Sequence, residues 1–252
     1  MQLSHNQRKL LHSLRSNSER DAHELFIAEG EKLCHELLES NFQAEYIVVR
    51  TPITPAIQLI AQEFSRRGIE IYEANNHVFG QISDAHSPQG ILAAVRYPQS
   101  QETISDRIII LDGIADPGNA GTIIRTADWF GFDTVLFTGN SAHRFNPKTV
   151  RATMGSLWRV NLLQTADAEQ FIGEHLAGYT LYGASLRAER LLSECIPTGK
   201  YGVVFGSESH GISPEVHKLL TYEYSIPSYG TAESLNVSIA AGISLYHFAI
   251  IK

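Results

Sequence analysis

The sequence predicts an α/β protein, with a C-terminal domain on a mainly parallel sheet preceded by a small α/β unit. Three observations lead there. Short apolar runs alternate with helical segments along the second half, the pattern of strands joined by helical crossovers. Ile108–Leu111 is a continuous apolar run, as expected of a strand covered on both faces. The polar, proline-bearing stretch Arg96–Thr103 divides the chain. The expected division is a first domain over 1–98, a linker over 99–106 and a second domain over 107–252.

In the first domain, Leu3, Leu10, Leu11 and Leu14 mark the apolar side of an opening helix. Leu33, Leu37 and Leu38 repeat that spacing in a helix beginning near Gly30. Strands follow at Tyr46–Val49, Ile69–Tyr72 and Ile91–Val95, with a helix over Ala56–Arg67. The second domain alternates strand Ile108–Leu111, helix Ala120–Phe130 and strand Thr134–Phe137. Its later strands are Thr180–Ala184, Gly202–Phe205 and Glu223–Ile226. Further helical segments lie near Pro147–Met154, Ala166–Leu176 and Pro214–Leu220. The last helix, Leu235–Ile251, is apolar almost all round, which predicts burial on several faces.

Composition narrows the function classes. With 43% hydrophobic and 19% charged residues the chain is too apolar to be disordered. Two cysteines, Cys34 and Cys195, can form neither a disulfide framework nor a four-cysteine metal site. The N-terminal segment lacks a signal-like apolar core. Leu235–Ile251 is interrupted by Asn236, Ser238, Ser244 and His247, so it is a poor membrane span. These features predict a cytoplasmic protein without membrane contact.

Three glycine-containing segments follow strand ends. The first runs Asp116-Pro-Gly-Asn-Ala-Gly121 into a helix carrying Arg125 among Ile123, Ile124 and Ala127. A helix start there would expose N–H groups that favour anions. The second is Phe205-Gly-Ser-Glu-Ser-His-Gly211, where ligands of parallel sheets bind. The third is Ile226-Pro followed by Ser234-Leu-Asn-Val-Ser238, in which Ser234 and Asn236 are natural helix caps. The dinucleotide fingerprint GxGxxG and the phosphate loop GxxxxGK[ST] are both missing, which argues against a dehydrogenase or P-loop enzyme. Eleven histidines include no HExxH pair, so no metal is expected.

Taken together, the three segments resemble the SpoU branch of the SPOUT methyltransferases, which methylate RNA ribose 2′-hydroxyls. Asn146-Pro-Lys-Thr-Val-Arg-Ala-Thr-Met-Gly-Ser-Leu-Trp158 resembles the same family, so the likeness covers Ile108 to Lys252. Phe26-Ile-Ala-Glu-Gly30 and Ser87-Pro-Gln-Gly-Ile-Leu92 are similar to the substrate-binding domain often fused in front. Ser209 departs from the family's usual glycine, with no functional residue lost. The resemblance implies a deep C-terminal trefoil knot, which patterning alone would exclude. It also implies a homodimer and S-adenosylmethionine as cofactor, contacted near Thr138, Gly206, Ile226 and Leu235. Arg125 would be catalytic, with Asn119, Glu208, Ser234 and Asn236 positioning it, the RNA and the cofactor. The family proposal makes Arg125 the base. An arginine stays cationic in proteins, so stabilising an alkoxide or gripping a phosphate are open alternatives. The expected partner is ribosomal or transfer RNA rather than DNA. A non-catalytic RNA-binding or assembly factor on the same fold is the rival reading. It has no need to keep all four of Asn119, Arg125, Glu208 and Asn236.

The net charge of -7 looks wrong for an RNA partner. Residues 1–20, however, hold Arg8, Lys9, Arg15 and Arg20 against Glu19 alone. Residues 134–166 hold Arg144, Lys148, Arg151 and Arg159 with no acid. Arg8, Lys9, Arg144, Lys148 and Arg151 are the expected RNA contacts.

Overall fold

In the computed structural model, which describes residues 1–98 and 103–251, the chain forms two units. One contains residues 1–98 together with Phe145–Trp158; the other contains 103–144 and 159–251.

The first unit opens with helix α1 (His5–Ser13), started by a reciprocal cap. Gln7 N–H donates to Ser4 Oγ at 3.3 Å, and Ser4 N–H donates to Gln7 Oε1 at 2.9 Å. Helix α2 (Asn17–His23) and strand β1 (Leu25–Glu29) follow. Then come α3 (Glu31–Leu37), β2 (Ala44–Arg50), α4 (Pro55–Arg66), β3 (Glu70–Ala74), α5 (Asn76–Ile82) and β4 (Ile91–Arg96). The sheet order is β1-β4-β2-β3, with only β2 and β3 parallel. Leu11, Leu14, Ile27, Val48, Phe79 and Leu92 pack its core. The sequence reading left out α2, β1 and α5.

The second unit begins with β5 (Arg107–Asp112), α6 (Pro117–Phe130) and β6 (Thr134–Thr138). The chain then enters α7 (Pro147–Ala152) and a 3-10 turn at Ser156–Trp158. This segment packs within the first unit, which corrects the expectation of one continuous second domain. The reason is aromatic. Phe145 stacks on Phe26 with centroids 4.4 Å apart, and Trp158 meets Phe42 edge-on at 5.0 Å. Of the expected linker, 99–102 lie outside the described residues. Ser105 already belongs to the second unit, its carbonyl accepting from the Tyr179 hydroxyl at 3.0 Å.

The second unit continues through β7 (Asn161–Gln164), α8 (Ala168–His175), β8 (Thr180–Ala184), β9 (Tyr201–Gly206), α9 (Pro214–His217), β10 (Tyr222–Tyr224) and α10 (Val237–Ile250). Its six strands are all parallel, in the order β10-β8-β9-β5-β6-β7. Ile108, Ile110, Leu136 and Val204 fill the sheet's centre. Helix α10 lies beside α6 and reaches β9, where Tyr201 donates to the Phe248 carbonyl at 3.2 Å. It buries Val237, Ala241, Leu245 and Phe248. Its other face is open, with Ile239 54%, Tyr246 55% and Ile250 57% exposed. Burial on several faces is therefore not achieved within one chain. Among the described residues, no helix is long and apolar enough to cross a membrane.

Candidate active site

Three loops leave the carboxyl ends of strands in the second sheet, the usual ligand position in parallel sheets: two follow the adjacent strands β5 and β9, and the third follows edge strand β10. Asp112 ends β5 and lies directly across from Thr138 of β6 and Gly206 of β9. Its carboxylate is buried and uses both oxygens. Thr138 Oγ1 donates to Oδ1 at 2.8 Å, and Ser213 N–H donates to Oδ2 at 2.6 Å. Asp112 thus fixes the end of β6 and the far side of the second loop from one point. Its signal in the sequence is an acid closing the apolar run Ile108–Leu111.

The second loop is a tight turn. Ser207 and Gly211 exchange backbone hydrogen bonds at 2.9 Å in both directions. His210 N–H donates to Ser207 Oγ at 3.0 Å, which gives this loop histidine a structural place. Gly211 has φ +72, a left-handed conformation suited to glycine. Gly206 is required for a different reason. A Cβ there would stand 2.1 Å from the Gly211 carbonyl carbon and 2.2 Å from the Ile212 nitrogen.

The three expected motifs meet through side chains. Asp116 caps α6 by accepting from Asn119 N–H at 2.9 Å. That leaves the Asn119 amide free to bridge. Its Nδ2 donates to Glu208 Oε1 at 2.6 Å, a contact spanning 89 residues. Its Oδ1 accepts from Asn236 Nδ2 at 3.2 Å, across 117 residues. Asn236 Oδ1 in turn accepts from Ser238 N–H at 2.9 Å and Ser238 Oγ at 2.6 Å, so it caps α10 as well. Capping and site-building are both true of Asn236. Asn236 and Glu208 are exposed and Asn119 is half-buried. Polar contacts open to water add little net stability. Their consequence is geometric: they hold three loop ends in one register.

Arg125 stands on α6, less than two turns beyond Asn119. It is exposed, and among the described residues it has no hydrogen-bond or ion-pair partner. A rigid helix thus presents an uncommitted cation beside the bridged loops. Ser234 is exposed and likewise makes no hydrogen bond among the described residues. Of the expected cofactor contacts, Thr138 is buried, with its hydroxyl spent on Asp112 and its carbonyl already accepting from the Gly113 and Ser141 N–H groups at 3.3 and 3.2 Å. Ile226 is half-buried and Leu235 is 46% exposed. They are apolar side chains on an otherwise polar loop. Among the described residues no group of His, Cys, Asp and Glu could hold a metal ion.

The expected basic patches look different in three dimensions. Arg20 is fully buried, donating to the Leu14 and Arg15 carbonyls at 2.7 and 2.9 Å. It is unavailable to a ligand. Arg151 pairs with Asp84 at 3.0 Å and Arg159 with Asp128 at 2.8 Å. Arg144 donates to the Leu162 carbonyl at 2.6 Å. The count over 134–166 missed acids supplied from elsewhere in the chain. Lys148 is exposed on α7; Arg8 and Lys9 lie on α1.

Comparison with known proteins agrees with this geometry. The SpoU rRNA Methylase family profile matches residues 106–246, and the MRM3-like substrate binding domain matches residues 6–93. The 23S rRNA (guanosine(2553)-2′-O)-methyltransferase RlmP of Bacillus subtilis is 30% identical over 93% of this chain and 92% of its own length. A TrmH-family RNA methyltransferase structure from Porphyromonas gingivalis superposes with TM-score 0.84 at 35% identity, covering 98% of each chain. An AdoMet-bound rRNA methyltransferase from Sinorhizobium meliloti gives TM-score 0.84 at 28% identity, covering 98% of this chain and 95% of that one. With its three loops joined through Asn119 and an uncommitted arginine beside them, the chain belongs to the SpoU rRNA methylase family.

Proposed function

We propose that this protein is an S-adenosylmethionine-dependent methyltransferase acting on a ribose 2′-hydroxyl of ribosomal or transfer RNA. The observation that carries the reading is the Glu208–Asn119–Asn236 chain, centred on the helix that also presents Arg125, exposed and without a partner among the described residues. A scaffold that only bound RNA would gain nothing from orienting those groups together.

The residues fit the cofactor. S-adenosylmethionine has an apolar ring, a polar amino-acid end and a sulfonium. Ile226 and Leu235 offer apolar surface, and the loop that follows Gly206 offers polar groups at the end of β9. When bound, the cofactor supplies an electrophilic methyl group. The remaining difficulty is the ribose hydroxyl, a weak nucleophile until its proton leaves. Arg125 lowers that barrier by stabilising negative charge on the oxygen as its proton passes to bulk water, a role suited to a permanent cation. Asn119, Glu208 and Asn236 keep the loops in register, and exposed Ser234 is assigned a positioning role on the third loop. In-line positioning supplies the rest.

The same reading includes a homodimer, a C-terminal trefoil knot and a cytoplasmic location. The exposed stripe Leu235, Ile239, Ile243, Tyr246 and Ile250 on and before α10 supports the dimer. Trp129 on α6 is also open, at 81%. Burying one such side chain contributes on the order of 1.5–3 kcal/mol, so a self-complementary two-fold contact is favoured. Light scattering should give twice the 27.9 kDa chain mass. Ile239→Glu with Ile243→Glu should give the single mass; a wild-type monomer contradicts the dimer. The knot is supported by α10 returning from edge strand β10 to pack beside α6 and β9, across intervening β8. RNA contacts are assigned to Arg8, Lys9 and Lys148. Arg144 and Arg151 are proposed as further contacts beside the bonds they make to the Leu162 carbonyl and Asp84.

A further inference from the structure

Five basic side chains gather around a cavity of about 520 Å³ in the first unit. His5, Arg8, Lys9, His12 and Arg15 line one side, and Gly80, Gln81 and Ile82 of α5 line the other. Among the described residues, no acidic one lines it. In a chain of net charge -7, such a concentration of one sign is local and specific.

The cavity's own polar groups suit an anion. The carboxyl end of a helix carries partial negative charge and normally repels one. Here Arg15 covers that end of α5, its Nη2 donating to the Gln81 carbonyl at 3.1 Å and the Ser83 carbonyl at 2.5 Å. Its Nη1 lies 3.5 Å from His12 Nε2. Arg8 Nε is buried and has no hydrogen-bond partner among the described residues. An unpaired buried donor is costly unless a ligand satisfies it. His5, Arg8 or Lys9, and His12 recur at helical spacing on one side of α1. From His5 to His12 that row extends roughly 10 Å, enough to meet more than one phosphate.

We propose that this α1–α5 cleft seats consecutive phosphodiesters of the RNA substrate. It rests on the RNA-methyltransferase reading and adds a discrete phosphate seat, including His5, His12 and Arg15, to the diffuse basic patch. The charge is carried on a rigid helix and involves no base edge, so the contact sets register on the backbone rather than reading sequence.

The test measures full-length protein binding to protein-free 23S ribosomal RNA across a salt series. Arg8→Gln with Lys9→Gln should weaken binding about tenfold and reduce the log–log salt slope by roughly 1 to 2. Lys9→Gln with His12→Gln changes only exposed side chains and guards against misfolding of the half-buried Arg8 site. Circular dichroism and a thermal melt report whether each variant is folded. Inorganic phosphate and a polyglutamate peptide are run as competitors. Unchanged affinity and slope in both double variants overturn the proposal. Displacement of RNA by polyglutamate at matched charge also overturns it, in favour of an acidic protein partner. Wild-type protein that binds RNA through the cleft yet transfers no methyl group leaves the seat standing and removes the enzymatic reading instead.

Discussion

Arg125→Ala is expected to lower kcat for methyl transfer on the order of 10³-fold while S-adenosylmethionine still binds. The side chain is exposed and without a partner among the described residues, so its removal breaks no internal contact. Stability should therefore change by less than about 0.5 kcal/mol, as for ordinary surface positions. A thousandfold loss corresponds to roughly 4 kcal/mol of transition-state stabilisation. That is the range for removing one preorganised charge from a developing oxyanion. Arg125→Lys discriminates further. A lysine keeps the charge but loses the planar fork, so partial activity identifies charge as the working property. Single-turnover kinetics with saturating RNA measure both variants. Turnover of Arg125→Ala near wild type would remove the residue from the mechanism.

Gly206→Ala should abolish cofactor binding for a steric reason. The added methyl would meet the backbone of Gly211 and Ile212 at 2.1 and 2.2 Å. Backbone cannot rotate away as a flexible side chain can, so the Ser207–Gly211 turn must move as a whole. That turn carries Glu208, whose oxygen meets Asn119. Ser213, just beyond it, is tied to Asp112. Displacement therefore reaches both the loop register and the strand ends. Overpacking of this kind costs about 1–3 kcal/mol, tolerable for folding but not for a site needing sub-ångström register. Isothermal titration with S-adenosylmethionine, paired with a thermal melt, separates the two. Normal affinity in the alanine variant would show that the second loop lies away from the cofactor.

Much of the second unit was legible in the sequence because parallel strands announce themselves as short apolar runs. Thr180–Ala184 is a strand at the expected bounds. The site was legible through three strand–loop segments whose residues the fold then joins at Asn119. What escaped detection depends on long-range contacts. Phe145 and Trp158 are apolar anchors whose partners, Phe26 and Phe42, are more than a hundred positions away. No local pattern assigns that segment to the first unit. The basic run over 134–166 was read without Asp84 and Asp128, which neutralise Arg151 and Arg159 from outside it. Strand β1 was hidden between two short helices, and α5 spans only Asn76–Ile82. The final helix was read as buried on several faces, whereas one chain covers a single face. The exposed stripe Ile239, Ile243, Tyr246 and Ile250 is the part that the proposed dimer would cover.

The most direct test of the central claim is transfer of a tritiated methyl group. Purified protein is incubated with methyl-labelled S-adenosylmethionine and protein-free ribosomal and transfer RNA from cells lacking the gene. The RNA is then digested to nucleosides. The account predicts label in a 2′-O-methylnucleoside, with the adjoining phosphodiester resistant to alkali because its 2′-hydroxyl is blocked. Label on a base, or cofactor binding without transfer to either RNA, would contradict it.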